Sequence, residues 1–182
     1  KTTYIPLQTS EPPNNTPLKP VKSYTLPYEG LFVPNAGIVL LHPFLPVFFE
    51  GLEIASAGQI ADQEKALALL AYLATGTEET PEYELVLPKL LTNVPLATPV
   101  PLKTELNEKE RLEADALLDA VLKHWDALRQ TSRDGLRGSF LLRHGKLTQK
   151  TDGSWLLQIE PQTYDILLDH LPWSISMIQL PW

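Results

Sequence analysis

The sequence predicts an α+β fold, a helical layer followed by a small antiparallel sheet. Apolar residues recur at helical spacing between residues 62 and 130, and beyond Gly138 the pattern changes to strand-length runs divided by glycine-bearing turns. No repeat of fixed period appears. The 182 residues supply one domain, or one domain with an extended arm, and can bury a single sizeable core. We divide them into a proline-rich arm, 1–34, and an α+β domain, 35–182.

The arm holds Pro6, Pro12, Pro13, Pro17, Pro20, Pro27 and Pro34. Each proline removes a backbone donor and fixes φ, so the arm is expected to be extended and to build no sheet or helix of its own. By composition it is a linker. Tyr4, Ile5, Leu7, Tyr24, Leu26, Tyr28, Leu31 and Phe32 give it side chains to pack with, so the sharper reading lays it on a neighbouring subunit or on the domain's own surface.

The run from Asn35 to Glu50 is the most apolar of the chain, yet Pro43 and Pro46 cut it. A bilayer-crossing helix needs about 20 consecutive apolar residues, so this run predicts no membrane span. Phe44, Leu45, Phe48 and Phe49 are expected to be buried in protein.

From Asp62 to Ala74, Ala66, Leu67, Leu69, Leu70 and Leu73 mark a helix closed by a left-handed Gly76. Thr80 and Pro81 then suggest a cap and first-turn proline for a short helix bent or ended near Leu87. A proline-broken connection covers Thr92–Thr104. Asn107 and Glu110 form a capping-box pair that opens the longest helix, whose stripe of Leu117, Leu118, Val121, Leu122, Trp125 and Leu128 carries it to about Gln130. Arg129 and Arg133 lie near its negative end.

Residues 139–143, 146–150 and 154–160 predict a three-stranded meander with turns at His144-Gly145 and Thr151-Asp152-Gly153. In the third strand Trp155, Leu157 and Ile159 share a face. Pro161 opens a helix to about His170, and residues 173–180 read as a last strand.

The chemistry is sparse. A net charge of −7 and a pI near 5.1 argue against a phosphate-backbone binder, and nucleic acid is not an expected partner. With no cysteine, disulfides and thiolate chemistry are excluded. His42, His124, His144 and His170 lack a metal-like or triad-like companion. His170 with Asp165 and Asp169 reads as a cation at a helix end, His124 as half-buried and structural, and His144 as a turn residue at positive φ. Glu78, Glu79, Glu82 and Glu84 surround a helix start, where negative charge is favourable without catalysis. No phosphate loop, nucleophile elbow or zinc-protease spacing occurs, so the sequence predicts no enzyme, cofactor or metal.

Trp125 and Trp155 fit a core by spacing. Trp173 and Trp182 bracket the last predicted strand, each beside a proline, and are read first as core and second as interface anchors. The candidate contact residues are Trp173, Ile175, Ile178 and Trp182, with Tyr24 and Tyr28 of the arm. Lys1–Pro6 shows neither an initiator Met nor a secretory pattern, and Ile178–Trp182 is apolar, so the sequence reads as a piece of a longer protein.

Asn35-Ala36-Gly37 through Phe49, Ala71–Gly76, Pro81–Leu91 and Glu113–Leu118 follow one another in an order that continues further on. His124-Trp125, Asp134–Arg137 with Phe140-Leu141, and Tyr164–Leu168 running into Leu171-Pro172-Trp173-Ser174-Ile175-Ser176 complete it. This collinear set resembles the C-terminal region of the contractile injection system tape measure family. Such machines fire an inner tube, seated on a spike and baseplate, by contraction of a sheath. The resemblance implies a structural protein that sets tube length, lies inside the tube and is assembled in the bacterial cytoplasm. It also implies hub, spike and inner tube proteins as partners, and residues 35–182 as an anchor domain. Ring symmetry suggests a homo-trimer, with a hexamer as the alternative. Fully helical, 182 residues reach only about 270 Å at ~1.5 Å each, and the prolines forbid that, so the measuring rod is not expected here. The rival class is an assembly chaperone or adaptor that binds a partner through the arm. An envelope hydrolase is a third, since fold does not exclude function.

Overall fold

The sheet draws two of its four strands from the segment whose prolines predict none. The computed structural model describes residues 1–6 and 30–182. Its strands are β1 (Thr2–Ile5), β2 (Leu31–Val33), β3 (Ala55–Ser56), β4 (Gln59–Ile60), β5 (Gly145–Gln149) and β6 (Trp155–Ile159). β3 and β4 make a separate small hairpin, while the main antiparallel sheet runs β1-β6-β5-β2. Both ends of the predicted arm are therefore edge strands, and Tyr24 and Tyr28 lie outside the described residues.

Register fixes the faces. Thr3, Leu157, Leu147 and Leu31 align across the sheet, and Thr3, Leu157 and Leu147 are buried. Thr2, Gln158, Lys146 and Phe32 form the adjacent row on the opposite face and are exposed. The two-residue period produces that alternation. Gly145 is required by close approach, because a Cβ there would lie 2.7 Å from the Ala36 Cβ.

The helical layer is α1 (Leu45–Gly51), α2 (Gln63–Thr75), α3 (Val86–Leu91), α4 (Glu108–His124) and α5 (Arg133–Leu136). A 3₁₀ helix, Ala36–Leu41, precedes α1 and has every residue buried. At Gly37 a Cβ would fall 1.5 Å from the carbonyl oxygen of Phe140, so this helix can approach only through a glycine. In α1, Pro46 takes a first-turn position, where its missing N–H is one of the orphans in any case. Leu45 and Phe49 are fully buried, Phe48 nearly so, and Phe44 half-buried.

Helix α2 starts at Asp62, which accepts from the Lys65 amide at 3.0 Å, and stops at Gly76 with φ of 76°. It packs against α3, α4 and the Ala36–Leu41 helix. The α4 capping box forms as expected, between the Asn107 side chain and Glu110. The helix closes at His124, earlier than expected, because Trp125 turns its ring inward. That ring is fully buried, stacks edge-on to Phe140 at 4.8 Å and donates to the Leu167 carbonyl at 3.0 Å.

Five further expectations need correction. Residues 139–143 are not a strand: α5 runs on into a π-helical turn, Arg137–Leu141, that buries Arg137, Phe140 and Leu141 at helical spacing. A short apolar run cannot separate the two states by itself. His144 is not at positive φ. Pro88 does not end a helix but sits in the first turn of α3, and the Thr80 hydroxyl donates to the Pro101 and Leu102 carbonyls instead of capping. Residues 173–180 contain no strand; their only ladder is a parallel bridge between Tyr4 and Met177. The β5–β6 hairpin and the helix after Pro161 do form, the latter as a 3₁₀ helix, Thr163–His170.

Candidate interaction surfaces

Several of the charged groups that suggested chemistry are held in ion pairs, although Glu79 and Glu84 of the acidic cluster are in none of the ion pairs of the described residues. Asp165 is gripped by both Nη atoms of Arg143 at 2.8 and 3.0 Å, and that bidentate bond holds its carboxyl below the usual range. Asp169 accepts from Lys1 at 2.9 Å, so His170 gains no metal-binding partners from its neighbours. Glu78 pairs with Arg111 at 2.8 Å, and Glu82 with Lys89. Arg129 and Arg133 bond side chains, Asp126 and the Asp115–Asp119 pair, rather than the end of α4. No group of three metal-type ligands occurs among the described residues. No helix of the described residues is long and apolar enough to cross a membrane.

Three buried cations were not singled out from the sequence. Lys89, only 1% exposed, donates to Glu82 and to the carbonyls of Leu96 at 3.0 Å and Thr98 at 2.8 Å. It thereby ties the proline-broken connection to α3. Arg137 donates through Nε to the Leu73 carbonyl at 3.1 Å and through Nη1 to Asp134 at 3.0 Å. It satisfies an orphan carbonyl at the end of α2. Arg143 also donates to the Glu160 carbonyl at 2.6 Å, anchoring the chain beyond β6. A buried charge must be paired, but the Leu73 carbonyl that takes Arg137 and the Asp165 carboxylate that takes Arg143 lie beyond the reach of any local pattern.

The candidate contact residues mostly face inward. Ile175, Ile178 and Trp182 are 9%, 1% and 9% exposed and belong to the main apolar core. Trp182 lies against Phe49, ring centroids 5.6 Å apart, and donates to the Leu91 carbonyl at 2.8 Å. Trp173 is half-buried, edge-on to Phe44 at 5.2 Å, and donates to the Leu40 carbonyl at 2.9 Å. His42 Nε2 lies 2.9 Å from the Ser174 carbonyl, and burial pushes its pKa down. Of this segment's apolar side chains, Met177 is the one that stands out, 55% exposed.

The largest exposed apolar side chains elsewhere include Val47 on α1 and Leu112 on α4, 76% and 61% exposed. Between these helices lies a cavity of about 340 Å³ lined by Pro43, Phe44, Val47, Phe48, Ala116 and Leu117, with Gly51 and Glu113 completing it.

A family model described as contractile injection system tape measure protein matches residues 5–182. No curated protein and no solved structure matches the chain.

Proposed function

From the premise that the chain belongs to the contractile injection system tape measure protein family, we propose that it is the part that anchors such a protein, docked at the hub and spike end of the inner tube. The observation that carries this reading is the shape of the helical layer. Its longest helix, α4, has 17 residues, about 26 Å at ~1.5 Å per residue, and it is buried along one face in a mixed core. A ruler needs extended length, whereas a terminal anchor needs a folded mass that holds position. We infer a structural rather than catalytic role, because the carboxylates and histidines that could react are committed to ion pairs or stand apart.

Inside the particle the domain is expected to follow the symmetry of the ring it contacts, as a trimer or alternatively a hexamer. Purified particles test the reading. Quantitative mass spectrometry should find the chain at hub stoichiometry, and a density map should place it at the spike end of the tube lumen. Its recovery only from unassembled lysate would favour a chaperone or adaptor and overturn the anchor.

A further inference from the structure

Residues 1–6 and 176–182 meet along the outer edge of β1, and there they run in the same direction. The Tyr4 amide donates to the Ser176 carbonyl at 2.8 Å and the Ile178 amide donates to the Tyr4 carbonyl at 2.8 Å, which makes the parallel bridge between Tyr4 and Met177. On its other side β1 pairs with β6 from Thr2 to Ile5, and the Ile159 amide donates to the Lys1 carbonyl at 3.1 Å. The strand is thus held from both sides. Beyond the bridge Ile178, Leu180 and Trp182 are buried while Gln179 and Pro181 are exposed, the two-residue period of an extended chain. That row ends on the Trp182 ring, which lies against Phe49 and donates to the Leu91 carbonyl.

We propose that this pairing is a force-bearing clamp, which keeps the domain folded when tension acts between Lys1 and Trp182. The direction of the pairing carries the inference. Because β1 and residues 176–182 are parallel, Lys1 and Trp182 leave the bridge toward opposite ends, and pulling on both slides the two segments past each other. Bonds between strands run across the strands, so sliding loads the two bonds of the bridge and those from β1 to β6 together. An antiparallel pairing would bring Lys1 and Trp182 to the same end, where tension parts the bonds one after another. The slip must also draw Ile5 and Ile178, both buried, out of the core. Without load the contacts of residues 174–182 can still open singly; tension along the strands engages them at once. The clamp belongs to the fold of this chain and holds whether or not the domain docks at a hub.

Single-molecule pulling tests it. The sequence has no cysteine, so an introduced cysteine takes each handle at one place. One version of the 182-residue chain carries cysteines on short extensions before Lys1 and after Trp182. The other carries Thr151→Cys and the extension after Trp182. Thr151 is exposed in the turn between β5 and β6, at the end of the sheet toward which residues 178–182 lead, so this second pair of handles peels that segment from β1. At one loading rate the rupture force should be about twofold higher or more between residues 1 and 182 than between 151 and 182, because forced unfolding reads the barrier along the pulled direction. Tyr4→Pro removes the amide that bonds Ser176 and should bring the two forces together, whereas Tyr4→Val keeps that amide and should keep the difference. Circular dichroism establishes that each variant folds; should Tyr4→Pro fail to, the two pairs of handles on the otherwise unchanged chain decide alone. Equal forces with both pairs, a lower force between residues 1 and 182, or early detachment of residues 174–182 as a separate step under that tension would overturn the proposal. So would a folded Tyr4→Pro chain that keeps the full difference.

Discussion

Residues 36–51 and residues 171–182 are buried against each other, yet they are held by opposite means. The first segment satisfies its own backbone through the Ala36–Leu41 helix and α1, and its prolines fall where an N–H is dispensable. The second has almost no backbone ladder. It is fixed by single donors reaching across the molecule: Trp173 to Leu40, His42 to Ser174, Trp182 to Leu91, and one bridge to Tyr4. Helical backbone forms cooperatively, whereas point anchors can be lost one at a time. The difference teaches that equal burial does not mean equal cohesion: the first segment should open only with the whole fold, and the second can open in part.

Phe49→Ala gives the largest expected effect. Phe49 is fully buried and touches both segments through Phe48 and Trp182, so its loss should cost about 3–5 kcal/mol. Urea unfolding followed by circular dichroism should show the midpoint falling with an unchanged slope. A change below about 1 kcal/mol would mean the segments do not share one core.

Trp182→Phe sharpens the contrast. It keeps a ring beside Phe49 but removes the donor to Leu91, leaving a carbonyl short of a partner at about 1–3 kcal/mol. Hydrogen exchange should accelerate at residues 174–182 while the amides of α2 exchange as before. Equal acceleration in both would show one cooperative unit.

The same distinction separates what the sequence revealed from what it concealed. The capping box at Asn107 and Glu110, the left-handed Gly76 and the β5–β6 hairpin are encoded within a few residues, and each was legible. The strands β1 and β2 were not, because Thr2–Ile5 and Leu31–Val33 are edge strands whose partners lie more than 100 residues away. The π-helical turn at Arg137–Leu141 was misread because its apolar residues fit either period over so short a run. Trp182 was legible as a large apolar group to be covered, but not that Phe49 and Leu91 of its own chain would cover it. The groove between α1 and α4 depends on which faces two distant helices present, so no local pattern announced it.

Asn107→Ala acts on a local anchor, and the expected cost is about 1 kcal/mol. Exchange should quicken in the first turn of α4 alone, since the cap satisfies the amide of Glu110 and is reciprocated at its own. Quickened exchange at residues 174–182 would break the comparison from the other side, by linking a helix start to the distant anchors.

The smallest expected effect is a pH dependence at His42. Burial lowers its pKa below the ordinary value near 6.5, and the bond to the Ser174 carbonyl opposes that shift only in part. The folded protein therefore takes up the proton less readily than the unfolded chain. The sign follows: the contribution of neutral His42 is complete above about pH 6.5 and declines as pH falls toward the lower folded value. Carboxylates titrate in the same direction, so the readout is a difference. Between pH 7.5 and pH 5 the urea midpoint of the parent chain should fall further than that of His42→Gln. If the two fall equally, the imidazole contributes through shape alone, and the point anchors of residues 171–182 respond no differently to acid than the helices they cover.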